Sequence, residues 1–351
     1  MTIRALAPVV TALTVTLAAA TASATPYTSV FFFGDSLTDD GNLFEATGGT
    51  TPPPPYNARF TNDKTWAEIF ARDFAVSENY AFGGAQASNN FPSAGQDPNV
   101  DMTVDFIPDL DVQLGLFTGV IPGAAVGITQ PKTIADAGTD PLAILWFGAN
   151  DVFNVFDDPT LTAAQSAALM SQAAQDVSNA ALALAAAGAD VVVLNTPDLG
   201  VTPSYQLNLG GVLAPTATAL AQQFNAELAT GLATVESVTG ATITQVDMFS
   251  LLRDLSANPG DYGVTNATEP CLWAGELADD RPATTSPFCG PAVNSYAFFD
   301  GVHPTAPIHQ RIAGVVQGAV GLPITAVPLP APIFMLGAAL LGLAGLRRAK
   351  R

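Results

Sequence analysis

The sequence has 351 residues, of which 31 are acidic, 12 are basic and only two are histidine, and its formal net charge is −19. A charge of this size repels nucleic acids and anionic lipid surfaces at long range, so it excludes a nucleic-acid partner. The same acidity also suits a protein that only has to stay soluble, and it leaves both neutral and cationic substrates open.

The first 24 residues predict a signal peptide. Arg4 supplies a positive charge, residues 9–20 are almost wholly apolar, and residues 22–24 (ASA) are the small residues that signal peptidase prefers. The apolar run is short for a membrane span, which needs about 20 residues. We therefore expect export, with a mature chain that begins near Thr25.

Residues 25–326 are interpreted as one α/β domain, because about 300 residues without an internal repeat fit one large unit. Strand and helix patterns alternate, which favours parallel pairing with right-handed crossovers, as in a doubly wound sheet. The predicted strands are residues 29–33, 78–82, 142–147, 190–195 and 242–246. The predicted helices are residues 66–74, 161–187, 215–238 and 305–317. Residues 50–55, with four consecutive prolines, predict a stiff exposed loop.

The first predicted strand ends at a hydroxyl group. Residues 30–36 (VFFFGDS) run from four apolar residues into Ser36, and the carboxyl edge of a parallel sheet is where such folds keep their chemistry. Gly34 permits a tight turn, while Asp35 and Thr38 offer oxygens that could cap a following helix. On these residues alone, an ordinary strand-to-helix turn fits equally well.

Four motifs in this order resemble the signature blocks of the GDSL esterase/lipases, also called SGNH hydrolases. They are GDSL at 34–37, NYAFGGA at 79–85, GAND at 148–151 and DGVHPT at 300–305. The resemblance covers residues 30–313, and four ordered blocks are far more specific than one. It implies a three-layer sandwich around a central, mostly parallel, flavodoxin-like five-stranded sheet, and a serine esterase that needs no cofactor.

The last motif holds a candidate base and acid. Serine acyl transfer needs a base for the hydroxyl proton and a group that orients the base. Asp300 lies three residues before His303, and in a turn this spacing lets its carboxylate reach Nδ1 while Nε2 faces Ser36. We therefore predict Ser36, Asp300 and His303 as catalytic residues. The competing base is His309, whose place inside a predicted helix is typical of packing or surface.

The resemblance also nominates an oxyanion hole: the backbone N–H of Ser36, the backbone N–H of Gly83 and the side chain of Asn150. Gly84 directly follows Gly83, so a shift of one residue leaves the choice between the two glycines open. A plain turn at the glycines and a helix cap at Asn150 are the structural alternatives.

The other carboxylates near the motifs are interpreted as structural. No His-rich cluster or EF-hand spacing accompanies them, and a serine mechanism needs no metal, so we predict no metal site. Asp35 and Asp151 are interpreted as turn and cap residues that brace their loops. The remaining two are Asp39 and Asp40.

Cys271 and Cys289 predict a disulfide, because both lie in one proline-rich segment of a chain expected to be exported. The bond would close a loop of about 19 residues and stiffen the segment that leads into Asp300 and His303. Two unrelated thiols are the alternative.

Residues 327–351 are predicted to be a tail outside the domain. VPLPAP at 327–332 precedes an uncharged run at 333–346 and four basic residues. This order resembles a PEP-CTERM sorting tail, which an exosortase processes in bacteria with a Gram-negative envelope, although Leu329 replaces the usual Glu. A plain membrane anchor with its positive end in the cytoplasm is the alternative. Without Arg4 and the tail, the domain has 7 basic and 31 acidic residues.

Together these features predict a secreted serine esterase or lipase that acts on a small acyl or lipid ester and contacts the membrane transiently through its tail. We expect it to be extracellular or at the cell-envelope surface of a Gram-negative-type bacterium. A phospholipase, an acyltransferase or a polysaccharide acetylesterase would use the same residues. The rival from another class is a non-catalytic surface or matrix protein on a hydrolase scaffold, against which the intact Ser36, Asp300 and His303 speak. The sequence does not indicate an oligomeric state.

Overall fold

The computed structural model describes residues 26–88, 107–122, 128, 131–275 and 277–322. The predicted signal peptide and the predicted tail lie outside these residues, so the domain boundaries stay predictions. Within the described ranges, no helix combines the length and the apolar character that crossing a membrane requires.

Five parallel strands form the central sheet. They are β1 (Ser29–Gly34), β2 (Ser77–Asn79), β3 (Pro141–Trp146), β4 (Asp190–Leu194) and β5 (Ile243–Val246). Their spatial order is β2-β1-β3-β4-β5, and every neighbouring pair is parallel. This is the flavodoxin-like order, so the predicted fold class is confirmed. A separate pair of short parallel strands consists of β6 (Asn266–Pro270) and β7 (Tyr296–Phe298).

Helices cover both faces of the sheet. Those described are α1 (Asn42–Ala46), α2 (Trp66–Ala71), α3 (Leu110–Thr118), α4 (Ala149–Asp157), α5 (Ala163–Ala186), α6 (Pro203–Leu207), α7 (Ala214–Thr239), α8 (Met248–Ala257), α9 (Leu277–Asp280) and α10 (Ala306–Ala319). Because successive strand side chains point to opposite faces, Phe31 and Phe33 pack with α3, α5 and α7, whereas Val30 and Phe32 pack with α2, α8 and α10. This double burial explains the unbroken apolar run of β1.

The second strand, Ser77–Asn79, is shorter than the predicted residues 78–82. The chain nevertheless continues beside β1, because the N–H groups of Tyr80 and Phe82 donate to the Phe32 and Gly34 carbonyls at 2.9 and 3.2 Å. The side chain of Asn79 supports this segment: its Oδ1 accepts the N–H of Ala81 at 3.0 Å, and its Nδ2 donates to the carbonyl of Thr38 at 2.8 Å.

Gln113 on α3 binds both backbone groups of the last residue of β1. Its Oε1 accepts the N–H of Gly34 at 2.9 Å, and its Nε2 donates to the Gly34 carbonyl at 2.8 Å. The side chain is fully buried. A side-chain amide thus satisfies both backbone groups of the last β1 residue, which fixes the turn that follows.

Candidate active site

Ser36, His303 and Asp300 form a continuous chain of hydrogen-bonding contacts. His303 Nε2 lies 2.7 Å from Ser36 Oγ, and His303 Nδ1 lies 2.7 Å from Asp300 Oδ2. Ser36 follows β1 directly, whereas the other two residues lie in the turn between β7 and α10. The structure therefore brings together, at the carboxyl edge of the sheet, the three residues that the sequence nominates.

Asp300 is a buried carboxylate with several donors. Its Oδ1 accepts the backbone N–H groups of Val302 and His303 at 2.9 and 2.8 Å, and its Oδ2 faces His303 and Tyr56. Burial raises the pKa of Asp300, but the charge of His303 and these hydrogen bonds outweigh it, so the pKa lies below its ordinary value. Asp300 is accordingly held as an anion beside the imidazole.

Tyr56 is a site residue that sequence reasoning missed. Its hydroxyl donates to Asp300 Oδ2 at 2.5 Å, and its ring packs edge-on against Phe299 at 5.0 Å between centroids. Burial, followed by the charge of Asp300, raises the pKa of Tyr56. The one available signal was its position immediately after the four prolines, which had predicted only an exposed loop.

The second histidine, His309, does not reach the serine. It is buried in α10, and its Nδ1 accepts the backbone N–H of Trp66 at 3.2 Å. Burial, with a smaller effect from the charge of His303, lowers the pKa of His309 to about 3. His309 is therefore a neutral core residue at physiological pH, as its helical position had suggested.

Three N–H donors remain candidates to face a negative oxygen at Ser36. Asn150 uses its amide Nδ2 to donate to the Ala85 carbonyl at 2.8 Å, and an amide nitrogen has a second hydrogen. Within the described residues, the backbone N–H groups of Ser36 and Gly84 donate to no protein acceptor. Gly84 also has a φ of 87°, a left-handed conformation that favours glycine.

The prediction for Gly83 requires a correction, because its N–H is already bound. It donates to Asp39 Oδ2 at 2.8 Å. A side chain at Gly83 would also collide with the ring of Phe60, because an added Cβ would overlap that ring. Gly83 is thus glycine for packing reasons, and Gly84, the alternative that the sequence left open, is the better candidate donor.

Asp39 ties the serine turn to the loop after β2. Its Oδ1 accepts the N–H groups of Gly41 and Asn42 at 2.8 and 2.7 Å, and its Oδ2 accepts those of Leu43 and Gly83. The start of α1 is therefore capped by Asp39, and not by Asp35 or Thr38 as the sequence suggested.

Asp35 and Asp151 brace neighbouring loops as predicted. Asp35 Oδ1 accepts the N–H of Leu37 at 2.9 Å, and Asp151 accepts those of Ala87 and Ser88 at 3.0 and 3.1 Å. Burial raises the pKa of Asp35 to about 7 and that of Asp151 to about 6. Among the described residues, no group of three or more His, Cys, Asp or Glu side chains is placed to hold a metal ion.

A disulfide joins Cys271 and Cys289. The backbone N–H of Cys271 donates to the Phe298 carbonyl at 3.0 Å, and the next N–H, of Leu272, donates to the Phe299 carbonyl at 2.6 Å. Since Asp300 follows Phe299, the bridged segment holds the strand that leads directly into the acid and the base.

An apolar pocket opens beside Ser36 and His303. It is a narrow cleft with a cavity volume of about 40 Å³, and its walls include Trp146, Phe153, Leu199, Met248, Leu252 and Ile308. None of the described lining residues is Asp, Glu, Lys or Arg, and the hydroxyl of Thr202 in its wall already donates to the Leu199 carbonyl at 2.7 Å. The pocket therefore offers an uncharged surface suited to hydrocarbon.

The chain is similar in sequence to known proteins. The chain is 27% identical to the anther-specific proline-rich protein APG of Arabidopsis thaliana over 82% of its own length and 60% of that protein. It is 29% identical to esterase EstA of Pseudomonas aeruginosa over 88% of its own length and 49% of EstA, so it spans about half to three fifths of these relatives.

A solved structure with a similar course is a variant of Axe2, an acetyl-xylooligosaccharide esterase from Geobacillus, with a TM-score of 0.44, 11% identity, and coverage of 86% of this chain and 98% of that one. A score of this size marks a loose likeness, and no residue role is transferred from it. The family model described as GDSL-like lipase/acylhydrolase matches residues 30–316, most of the chain. The chain therefore belongs to the GDSL-like lipase/acylhydrolase family.

Proposed function

We propose that the protein is a serine esterase that cleaves carboxylic esters bearing an aliphatic chain, through an acyl-enzyme on Ser36. The observation that carries this proposal is the hydrogen-bonded chain from Ser36 to His303 to Asp300 at the mouth of an apolar pocket. A hydroxyl with a base at 2.7 Å, and a carboxylate behind that base, is the arrangement that serine acyl transfer requires.

In the first half of the proposed reaction, Ser36 Oγ attacks the ester carbonyl carbon while its proton passes to His303 Nε2. The carbonyl oxygen becomes negative and is met by the N–H groups of Ser36 and Gly84 and by the free amide hydrogen of Asn150. The tetrahedral intermediate collapses, the alcohol leaves with the proton from His303, and the acyl group stays on Ser36.

In the second half, water attacks the acyl-enzyme and gives its proton to His303 Nε2. Collapse of this second tetrahedral intermediate releases the carboxylic acid and returns the proton to Ser36 Oγ. Asp300 stays ionised throughout and stabilises the imidazolium that forms in each half. An acyltransferase would follow the same course with an alcohol in place of the water.

The direct test compares the purified protein with Ser36→Ala on p-nitrophenyl butyrate. We expect the variant to lose at least about three orders of magnitude in kcat, because no other hydroxyl replaces the nucleophile. Ser171→Ala is the matched control, since Ser171 lies on the outer helix α5 and its hydroxyl donates to the Ala167 carbonyl. Equal rates for wild type and Ser36→Ala would favour the non-catalytic scaffold and overturn the proposal.

The aliphatic substrate class is tested with two series of esters. One series varies the acyl chain of p-nitrophenyl esters from two to sixteen carbons, and the other varies the alcohol of alkyl acetates, so the two halves of the ester are distinguished. We expect kcat/KM to rise with chain length in one series by about three- to fourfold per buried methylene until the pocket is filled. A flat profile in both series would contradict binding of a hydrocarbon chain.

A bulky residue in the pocket wall supplies a second test of the same point. Leu251 is half-buried and lines the pocket, so Leu251→Trp should lower kcat/KM for the longest substrates while leaving the acetate nearly unchanged. Leu182→Trp is the control, because Leu182 is equally half-buried but packs against the cluster on the opposite face of the sheet. Equal losses on short and long esters would argue against a chain-binding role.

We also propose that the protein is exported and that its tail directs it to the cell surface. The supporting features are the charged, apolar and small-residue order of residues 1–24 and the proline, apolar and basic order of residues 327–351. Mass spectrometry of the protein isolated from its host tests both: a start near Thr25 and an end near Val327 are expected. An intact tail would contradict processing, and an intact start would contradict export by this signal.

A further inference from the structure

We propose that Tyr56 is a positioning residue for this reaction, which holds the Asp300 carboxylate and limits how strongly that carboxylate binds His303. The inference rests on the proposed function of Ser36, His303 and Asp300. Tyr56 does not line the apolar pocket beside Ser36, so it acts through Asp300 and not on the substrate.

The two oxygens of Asp300 are held in different ways. Oδ1 accepts two backbone N–H groups of its own turn, from Val302 and His303, and is fixed by the local fold. Oδ2 is bound by side chains alone: the hydroxyl of Tyr56 at 2.5 Å and the Nδ1 of His303 at 2.7 Å. The tyrosine and the imidazole therefore share the negative charge of one oxygen atom.

The tyrosine ring is held in place before any substrate binds. Its backbone N–H donates to the Pro53 carbonyl at 3.2 Å, within a run of prolines whose φ angles are fixed by their rings. The ring packs against Phe299 at 5.0 Å and against Phe60 at 6.0 Å, and Phe60 in turn faces the His303 ring at 5.0 Å. These aromatic contacts hold the Tyr56 ring so that its hydroxyl reaches Asp300 Oδ2.

Tyr56→Phe removes the hydroxyl and keeps the ring, so it isolates the hydrogen bond. Without this donor, Oδ2 is less firmly oriented and carries more negative charge toward Nδ1. We expect kcat to fall about tenfold with KM unchanged. We also expect the acid limb of the kcat/KM profile to move to higher pH, because the stronger charge favours protonated imidazole.

A proton resonance provides a readout that needs no turnover. The sequence has two histidines, and His309 Nδ1 accepts a hydrogen bond from Trp66, so it carries no proton. A low-field Nδ1–H signal in the full-length protein therefore comes from His303 alone. In Tyr56→Phe this signal should move farther downfield, since the Nδ1–H···Oδ2 bond becomes stronger.

Tyr262→Phe is the matched control, because Tyr262 also donates to an aspartate, Asp254 Oδ2 at 2.8 Å, but at the exposed surface. This control should leave kcat, the acid limb and the low-field signal as in wild type. An unshifted signal and an unshifted acid limb in Tyr56→Phe would overturn the proposal, even if kcat falls. If Ser36→Ala instead kept full activity, the proposed function would fail while the resonance test could still be read.

Discussion

The side-chain amide of Asn150 makes one structural hydrogen bond and has one proposed role in the reaction. One hydrogen is held by the Ala85 carbonyl at 2.8 Å, which fixes the amide plane, and in the proposed reaction the other donates to the oxyanion. A donor that is fixed in advance stabilises negative charge without reorganising during the reaction, which is why such groups contribute strongly to catalysis.

Asn150→Ala should therefore lower kcat by about two orders of magnitude while changing KM little. The measurement is steady-state hydrolysis of p-nitrophenyl butyrate, with the melting temperature recorded for each variant. Asn154→Ala, one turn later on α4, is the control and should keep nearly full activity. A decrease in KM as large as that in kcat, or equal losses in both variants, would argue against a role for Asn150 in the transition state.

Substitution by glutamine should greatly lower the activity at His303 and change it little at His309. His303→Gln should lose at least about three orders of magnitude in kcat, because an amide cannot take the serine proton. His309→Gln should keep kcat within about threefold, since a Gln oxygen can still accept the Trp66 N–H that His309 now binds. Activity measurements with both variants check this, and a dead His309→Gln that melts like wild type would contradict the assignment.

Residues of the site differ in how well the sequence predicts them. Ser36, Asp300 and His303 lie in short motifs beside strand ends. The three-residue spacing of Asp300 and His303 already predicts that the carboxylate can reach the imidazole. Tyr56 and Gln113 do not, because each acts on a group far away in the sequence: Asp300 in one case and Gly34 in the other. Nothing local to a tyrosine or a glutamine specifies such a partner.

At the scale of the elements, the disulfide supports the turn that carries the acid and the base. Cys271 and Cys289 are 18 residues apart in the sequence, and their disulfide closes the loop between them. At the start of this loop, the backbone N–H groups of Cys271 and Leu272 donate to the carbonyls of Phe298 and Phe299. Loss of the disulfide raises the conformational entropy of the unfolded chain and also removes a constraint on the strand before Asp300.

The double variant Cys271→Ser, Cys289→Ser should therefore be less stable by about 3 kcal/mol and should show a lower kcat with a similar KM. Thermal unfolding and steady-state kinetics, each with and without a reductant, check the prediction. The reductant should lower the stability and the kcat of the wild type toward those of the double variant, and it should change neither quantity in the double variant. An unchanged kcat would show that the turn holds its geometry without the bond.

The larger elements were easier to predict than the short ones. The sequence predicted residues 161–187 as a helix, and α5 spans Ala163–Ala186 because Thr162 and Gln165 form a capping box at its start. By contrast, the sequence did not predict α4 and α8, which begin within three residues of a strand end and are nine and ten residues long. β2 ends at Asn79, before the predicted residue 82, although Tyr80 and Phe82 still bond to β1.

At the scale of the whole molecule, buried carboxyl groups set the pH dependence of stability. Burial raises the pKa of Asp35 and Asp109 to about 7 and that of Asp151 to about 6. Unfolded aspartate titrates near pH 4, so between about pH 4 and 7 the folded state binds more protons than the unfolded state. Each of these groups therefore lowers the free energy of unfolding as the pH rises through that window.

His309 acts in the opposite direction over part of the range. Its pKa is lowered to about 3 in the folded state, so the unfolded state binds the extra proton between about pH 3 and 6.5 and stability rises with pH there. His309 opposes these carboxyl groups and Asp40, whose pKa burial also raises to about 7, and above about pH 6.5 it no longer contributes. The balance favours the folded state on the acidic side of neutrality.

We therefore expect the melting temperature to be higher at pH 5 than at pH 8. Asp35→Asn should flatten this dependence, because the amide keeps an oxygen for the Leu37 N–H but does not titrate. Calorimetry across pH 4 to 8 tests both statements, with Asp63→Asn, at an exposed position, as the control. A rise in melting temperature from pH 5 to 8 would contradict the assignment of raised carboxyl pKa values.

Asp39 has a wider consequence for how this protein can change. Its carboxylate joins the N-terminus of α1 to Gly83, so a side chain that does not line the apolar pocket connects the segment after Ser36 to the loop that carries Gly84. The outer loops can then be exchanged to admit a new ester without disturbing the spacing of the reacting atoms. Redesign of the pocket walls should therefore keep Asp39 unchanged.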